Sequence, residues 1–190
     1  MRAWISDIIC QKIELLQSLE RSGYLRALED AGIEMSKALK DGKKIILAGN
    51  GGSAADAQHF AGEIVGRFTM ERASLPSVSL CVDPSVVTCI ANDYGYEEIF
   101  ARQLQGIGVQ GDIFVAISTS GNSENMIRAM KVASEKGIKV VGFLGKGGGK
   151  MKDLCDYALV VPADSTPRIQ ETHTLSVHLL CEMIEKELFA

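Results

Sequence analysis

Several features that would assign this 190-residue chain to a special class are missing from it. Nowhere do eighteen apolar residues follow one another, and the opening MRAWISDIICQKIE breaks its apolar run at Ser6, Asp7 and Gln11. Neither a membrane span nor a signal peptide is expected. Lys and Arg number 20 against 24 Asp and Glu, a net charge of −4 with no basic cluster, which argues against a surface built on nucleic-acid phosphates. The five cysteines, Cys10, Cys81, Cys89, Cys155 and Cys181, are odd in number, form no CxxC pair and lie among apolar residues. They read as small core hydrophobes, not as disulfides or thiolate zinc ligands. Together these absences describe a cytoplasmic protein. What is present is ordinary: 46% apolar and 23% charged residues, enough for one folded domain.

From Ser6 to Asp41 apolar residues recur at helical spacing, with a break at Ser22-Gly23, so two helices are expected first. From Lys43 onward short β-branched runs (KIILA, SVSLCV, DIFVAIS, IKVVGFL, YALVV) alternate with helical patterns near 53–67, 84–104, 123–136 and 168–189. The division this suggests is an N-terminal helical pair over 1–42, packing on a domain that fills 43–190. Strands separated by helices and nearly continuous in Ile, Val, Leu and Phe predict an α/β fold, a three-layer doubly wound parallel sheet buried on both faces. The GKGGGK stretch at 145–150 reads as a loop.

In such sheets ligands bind beyond the carboxyl ends of the strands, and two of these junctions are unusual. The first, Ala48-Gly49-Asn50-Gly51-Gly52-Ser53, lets the backbone turn tightly into a helix whose first N–H groups are free for an anion or polar ligand. It fits the loose dinucleotide pattern GxGxxA, yet no acidic residue ends a second strand at the expected distance; Asp83 lies 34 positions past Gly49. It also lacks the Lys-Ser/Thr ending of a P-loop, so no nucleotide cofactor is expected. The second junction places the hydroxyls of Ser118, Thr119, Ser120 and Ser123 between a buried strand and a helix. Hydroxyls, backbone N–H groups and a helix N-terminus can bind phosphate without Lys or Arg; the competing use of Ser123 is to cap its helix. A phosphorylated small molecule is favoured over a dinucleotide.

His59 and Glu63 are four apart, on one face of the helix after the first loop, so one ion or one substrate can touch both. In the last helix Gln170, Thr174, His178 and Glu182 form an i, i+4 row, while His173 points elsewhere and reads as structural. Gln170 and His178 lie about 12 Å apart along a helix, a long span for two ligands of one ion within one chain.

The segments AGNGGSAADAQHFAGE, IANDYGYEEIF, ISTSGNS and TPRIQETH, followed by His178, resemble in order those of the phosphoheptose isomerase family, sugar isomerase (SIS) domain proteins of the flavodoxin-like fold. The resemblance runs from about Lys43 to the C-terminus. It implies conversion of sedoheptulose 7-phosphate to D-glycero-D-manno-heptose 7-phosphate, the first step towards ADP- or GDP-heptose precursors of lipopolysaccharide or capsule, by a homotetramer with sites between subunits. It further implies Glu63 and His178 as the acid/base pair and zinc (Zn2+) on His59, Glu63, Gln170 and His178. Phosphate would bind at Ser118, Thr119, Ser120 and Ser123, with Asn50, Gly51, Ser53 and Asp93 also lining the substrate site. A non-catalytic SIS regulator that binds the replication initiator protein shares the AQHF and RIQE segments. The presence of both Glu63 and His178 favours the enzyme.

Overall fold

The computed structural model describes residues 1–190. The chain opens with α1 (Arg2–Leu19) and α2 (Tyr24–Lys40), separated where Gly23 takes a left-handed φ of 77°. Then follow β1 (Ile45–Gly49), α3 (Gly52–Val65), the short β2 (Ser77–Ser79), α4 (Pro84–Tyr94), α5 (Ile99–Ile107) and β3 (Ile113–Ser118). The last elements are α6 (Glu124–Glu135), β4 (Lys139–Leu144), β5 (Tyr157–Val160) and α7 (Thr166–Phe189). All strand pairs are parallel, in the order β2-β1-β3-β4-β5.

The alternation of side chains explains why the strand sequences are apolar throughout. Ile45 and Leu47 of β1, Val115 of β3 and Phe143 of β4 enter one core, shared with α2, α3 and α7. Ile46, Phe114 and Val140 enter the other, shared with α5 and α6. This is the doubly wound α/β sandwich expected from the sequence. The SVSLCV run contributes only three strand residues, and the helical pattern at 84–104 divides into α4 and α5 at a 3₁₀ turn over Tyr96–Glu98, where Gly95 has φ 100°. GKGGGK forms tight turns in which Gly147, Gly148 and Gly149 all have positive φ. No helix is long and apolar enough to cross a membrane.

Two features of this frame position the site. The strand order reverses direction at β1, and the register sets Gly49 opposite Ile117, so the loops after β1 and β3 leave the sheet side by side. The other feature is the seating of α7. His173 is fully buried, its Nε2 3.2 Å from the Leu144 carbonyl oxygen and its ring 5.6 Å from that of Phe143. The role is structural, as its position in the helix suggested.

Burial pulls the His173 pKa down to about 4, against a smaller opposing contribution from the Leu144 carbonyl. A histidine depressed in the folded state stabilises the protein fully above its unfolded pKa of about 6.5 and loses that contribution as pH falls towards 4. Urea unfolding between pH 7 and 4 should therefore show a loss on the order of 3 kcal/mol that His173→Leu removes. An unchanged pH slope in the variant would contradict the assignment.

Candidate active site

At the switch point, the two loops enclose a small cavity of about 90 Å³ lined by Asn50, Ser53, Ile117, Ser118, Thr119, Ser120 and Ser123. Six of the seven are polar. The Ser118 hydroxyl lies 3.1 Å from that of Ser123 and 3.4 Å from that of Ser120, and accepts from the Gly121 N–H at 3.2 Å. Ser123 makes no side-chain cap for α6, so its hydroxyl faces the cluster instead. The loop keeps this shape because Gly121, with φ 64°, lies against the glycine turn at 147–149: a β-carbon there would sit 2.0 Å from the Gly148 carbonyl oxygen. Asn122 Oδ1 accepts from the Lys150 N–H at 3.1 Å and tightens the same contact. The GKGGGK turn is therefore the buttress of the hydroxyl loop.

Asn50 exchanges two amide hydrogen bonds with Asn125, at 3.0 and 2.9 Å, and accepts from the Tyr96 hydroxyl at 2.8 Å. Asn50, Tyr96, Glu97, Ser123, Glu124 and Asn125 line a larger polar cleft of about 460 Å³ beside the cavity. Gly51, with φ 57°, lies in the adjoining hollow under Tyr96 and Phe100. Asn125 and Tyr96 were not singled out from the sequence. Tyr96 falls within the IANDYGYEEIF segment, and Asn125 shows its role only through its pairing with Asn50. Asp93 lies apart, on the exposed face of α4, where its carboxylate accepts from the Asn92 amide at 2.8 Å.

Along the other side of the glycine loop, α3 and α7 run parallel and meet one turn at a time. Gly52 faces Gln170 so closely that a β-carbon would sit 2.3 Å from the amide nitrogen. One turn on, the Thr174 hydroxyl donates to Asp56 Oδ1 at 3.1 Å, while Asp56 Oδ2 has no protein partner. Burial raises the Asp56 pKa, with the Thr174 bond acting the other way. At the next level the His59 and His178 rings meet edge to face, 5.1 Å apart, and His59 Nε2 lies 3.0 Å from Glu63 Oε1.

One potential ligand atom from each of His59, Glu63 and His178 lies within 4.8 Å of the others. Two imidazole nitrogens and a carboxylate oxygen are a donor set suited to zinc, so these residues fit the ion implied by the resemblance. Gln170 is two turns up α7, against Gly52, and stands outside this trio within one chain.

A doubly wound domain with a hydroxyl loop at its switch point is the architecture of the SIS domain proteins, and residues 11–145 match the SIS domain family model. The phosphoheptose isomerase of Sulfurimonas denitrificans is 50% identical over 190 residues, covering 100% of this chain and 97% of that protein. That of Aneurinibacillus thermoaerophilus is 53% identical over 190 residues, covering 100% and 96%. The structure of phosphoheptose isomerase from Neisseria gonorrhoeae superposes with a TM-score of 0.91 at 38% identity, covering 97% of this chain and 98% of that one. The chain belongs to the phosphoheptose isomerase family.

The buttress makes a test available. Gly121 and Gly147 both have positive φ, but only Gly121 faces a backbone atom, since nothing lies within 4 Å of a β-carbon at Gly147. Gly121→Ala should lower the thermal midpoint well beyond Gly147→Ala. Equal effects of the two variants would show that the contact does not shape the loop.

Proposed function

We infer that this chain isomerises sedoheptulose 7-phosphate to D-glycero-D-manno-heptose 7-phosphate, an aldose–ketose conversion. The observation that carries the reading is the meeting of Glu63 and His178 beside His59, with α3, which carries His59 and Glu63, also contributing Ser53 to the hydroxyl-lined cavity.

The cavity takes the phosphate. Ser118, Thr119, Ser120 and Ser123 offer hydroxyls to its oxygens, and the N-termini of α3 and α6 supply positive potential without a cation. Asn50, Gly51 and Ser53 line the route along the sugar, with Gln170 at the same level of α7. Moving hydrogen between C1 and C2 requires a base for the C–H proton and a group that shifts a proton between the two oxygens. Glu63 takes the proton from one carbon and returns it to the other through an enediolate. His178 donates to the carbonyl oxygen as the enediolate forms and accepts from the neighbouring hydroxyl, so the charge never accumulates on one oxygen. His59, Glu63 and His178 would hold zinc, which when bound would supply Lewis-acid polarisation of a substrate oxygen. Gln170 would reach the same ion across a subunit boundary.

Such a boundary is part of the reading. Trp4, Ile5, Ile9 and Ile13 of α1 are exposed, and α4, which carries Asp93, has no buried residue. We take these surfaces to be covered in a homotetramer, in which Asp93 faces the substrate of a neighbouring copy. The setting is the cytoplasm, and the product feeds nucleotide-activated heptose synthesis for lipopolysaccharide or capsule. A non-catalytic initiator-binding role is disfavoured, because it gives no use to the convergence of Glu63 with His178.

Incubation with sedoheptulose 7-phosphate should give the aldose product, and preincubation with a chelator should slow the reaction. Glu63→Gln should lower kcat by about 10²–10⁴-fold, the usual worth of general acid–base assistance. Near-normal turnover in that variant would remove Glu63 from the mechanism, and activity indifferent to chelation would remove the metal.

A further inference from the structure

We propose that the buried Arg72–Glu185 ion pair, acting through Phe68, is a positioning device that holds the His178 imidazole and the Glu63 end of α3 in register. Glu185 lies two turns beyond His178 on α7. Both of its oxygens are fully engaged: Oε1 accepts from the Phe68 N–H at 2.8 Å and Arg72 Nε at 3.0 Å, and Oε2 from the Thr69 N–H at 2.8 Å, the Thr69 hydroxyl at 2.9 Å and the Met70 N–H at 2.9 Å. The Arg72 and Glu185 side chains are each only 1% exposed. Burial alone would raise the Glu185 pKa, but its hydrogen bonds outweigh it and bring the carboxyl to about 2.

The pair ties two ends together. On one side it fixes the 68–70 segment so that the Phe68 ring stacks on the His178 imidazole, centroids 5.4 Å apart and planes 25° from parallel. On the other, the Arg72 guanidinium fork caps the end of α3, donating to the Glu63 carbonyl oxygen at 2.8 Å and the Ile64 carbonyl oxygen at 3.0 Å. His178 is thus confined between the His59 edge and the Phe68 face, while the backbone of Glu63 is held by the same ion pair. A fold that needed only stability would not require an ion pair here, since buried pairs often contribute less than apolar packing. Orientation of two reacting groups is what the arrangement provides.

The inference rests on His178 being a proton carrier, and the test separates the two. Steady-state kinetics with sedoheptulose 7-phosphate are measured on the full chain for Phe68→Ala, Phe68→Tyr and His178→Gln, each well below its own melting midpoint. Phe68 is half-buried at the margin of the core, so its midpoint is measured beside its kinetics. The expected result is a fall in kcat of about 10–100-fold for Phe68→Ala with KM unchanged, and recovery in Phe68→Tyr, which keeps the ring face. Wild-type kcat in Phe68→Ala beside an inactive His178→Gln would overturn this proposal alone. So would a rise in KM in place of the fall in kcat, or no recovery with Tyr. Full turnover in His178→Gln would overturn both.

Discussion

The lengthwise parallel contact between α3 and α7 is the constraint on which the proposed acid/base cluster of His59, Glu63 and His178 depends. It is close because position 52 carries no β-carbon, which lets the Gln170 amide sit against the first turn of α3. From that point each turn of one helix meets a turn of the other: Asp56 with Thr174, then His59 and Glu63 with His178. The adjoining face of α7, including Ile169, Val177, Leu180 and Ile184, is packed into the core. A helix used on both faces has little freedom to rotate, so the row Gln170, Thr174, His178 has only one direction to face. Displacing α7 by one residue would turn that row about 100° away from α3.

The proposed phosphate end of the site follows a different principle. Its lining holds no Lys or Arg, and its positive potential comes from fixed backbone dipoles at two helix starts, brought together by the pairing of β1 with β3. Dipoles of this kind need no side-chain ordering when the ligand arrives, unlike a flexible ammonium on a four-carbon stem. The left-handed glycines at 147–149 and at 121 keep the hydroxyl turn rigid from behind. Cavity size alone would mislead here. A larger cavity, about 670 Å³, opens at the amino ends of β4 and β5, where Lys131, Lys139, Asp153 and Asp156 present both signs of charge. The residues proposed to carry the chemistry border the smaller spaces at the carboxyl ends, where ligands of doubly wound sheets bind.

Much of this was legible in the residues, for identifiable reasons. Strands buried on both faces must be apolar throughout, so KIILA, DIFVAIS and IKVVGFL announced a parallel sheet, and that sheet located the glycine and serine loops at its ends. The i, i+4 spacing of His59 with Glu63 is a property of one helix and could be read locally. Roles that depend on contacts between distant segments could not. Asn125 looks like any polar residue in a first helical turn until Asn50 and Tyr96 are found bonded around it. GKGGGK read as a connecting loop because its contact with Gly121 lies across 26 residues of intervening chain. Glu185 sits among Lys and Glu near the C-terminus, where an acidic residue reads as solvated surface, yet it is among the most buried charges in the molecule. The signal for it was split between two segments more than a hundred residues apart.

The acid/base cluster also shows why the single chain is an incomplete description of the proposed enzyme. In one protomer the His59 side chain keeps 41% of its surface exposed and Glu63 keeps 25%. Proton abstraction beside a carbonyl benefits from a water-excluded, preorganised setting, in which fixed charges act at low dielectric. The supports beneath the cluster, Phe68 on its loop and the Arg72–Glu185 pair, close it from below and leave the upper side open. Trp4, Ile5, Ile9 and Ile13 of α1 and Val86 and Tyr94 of α4 stand exposed, and α4 carries the Asp93 carboxylate assigned to the substrate. Covering these surfaces with a second copy removes exposed apolar area and can bring Asp93 to a neighbour's substrate through the same contact. On this reading assembly and catalysis draw on one interface, and the protomer's own contribution is to hold two helices and one phenyl ring so that the imidazole awaits its substrate already oriented.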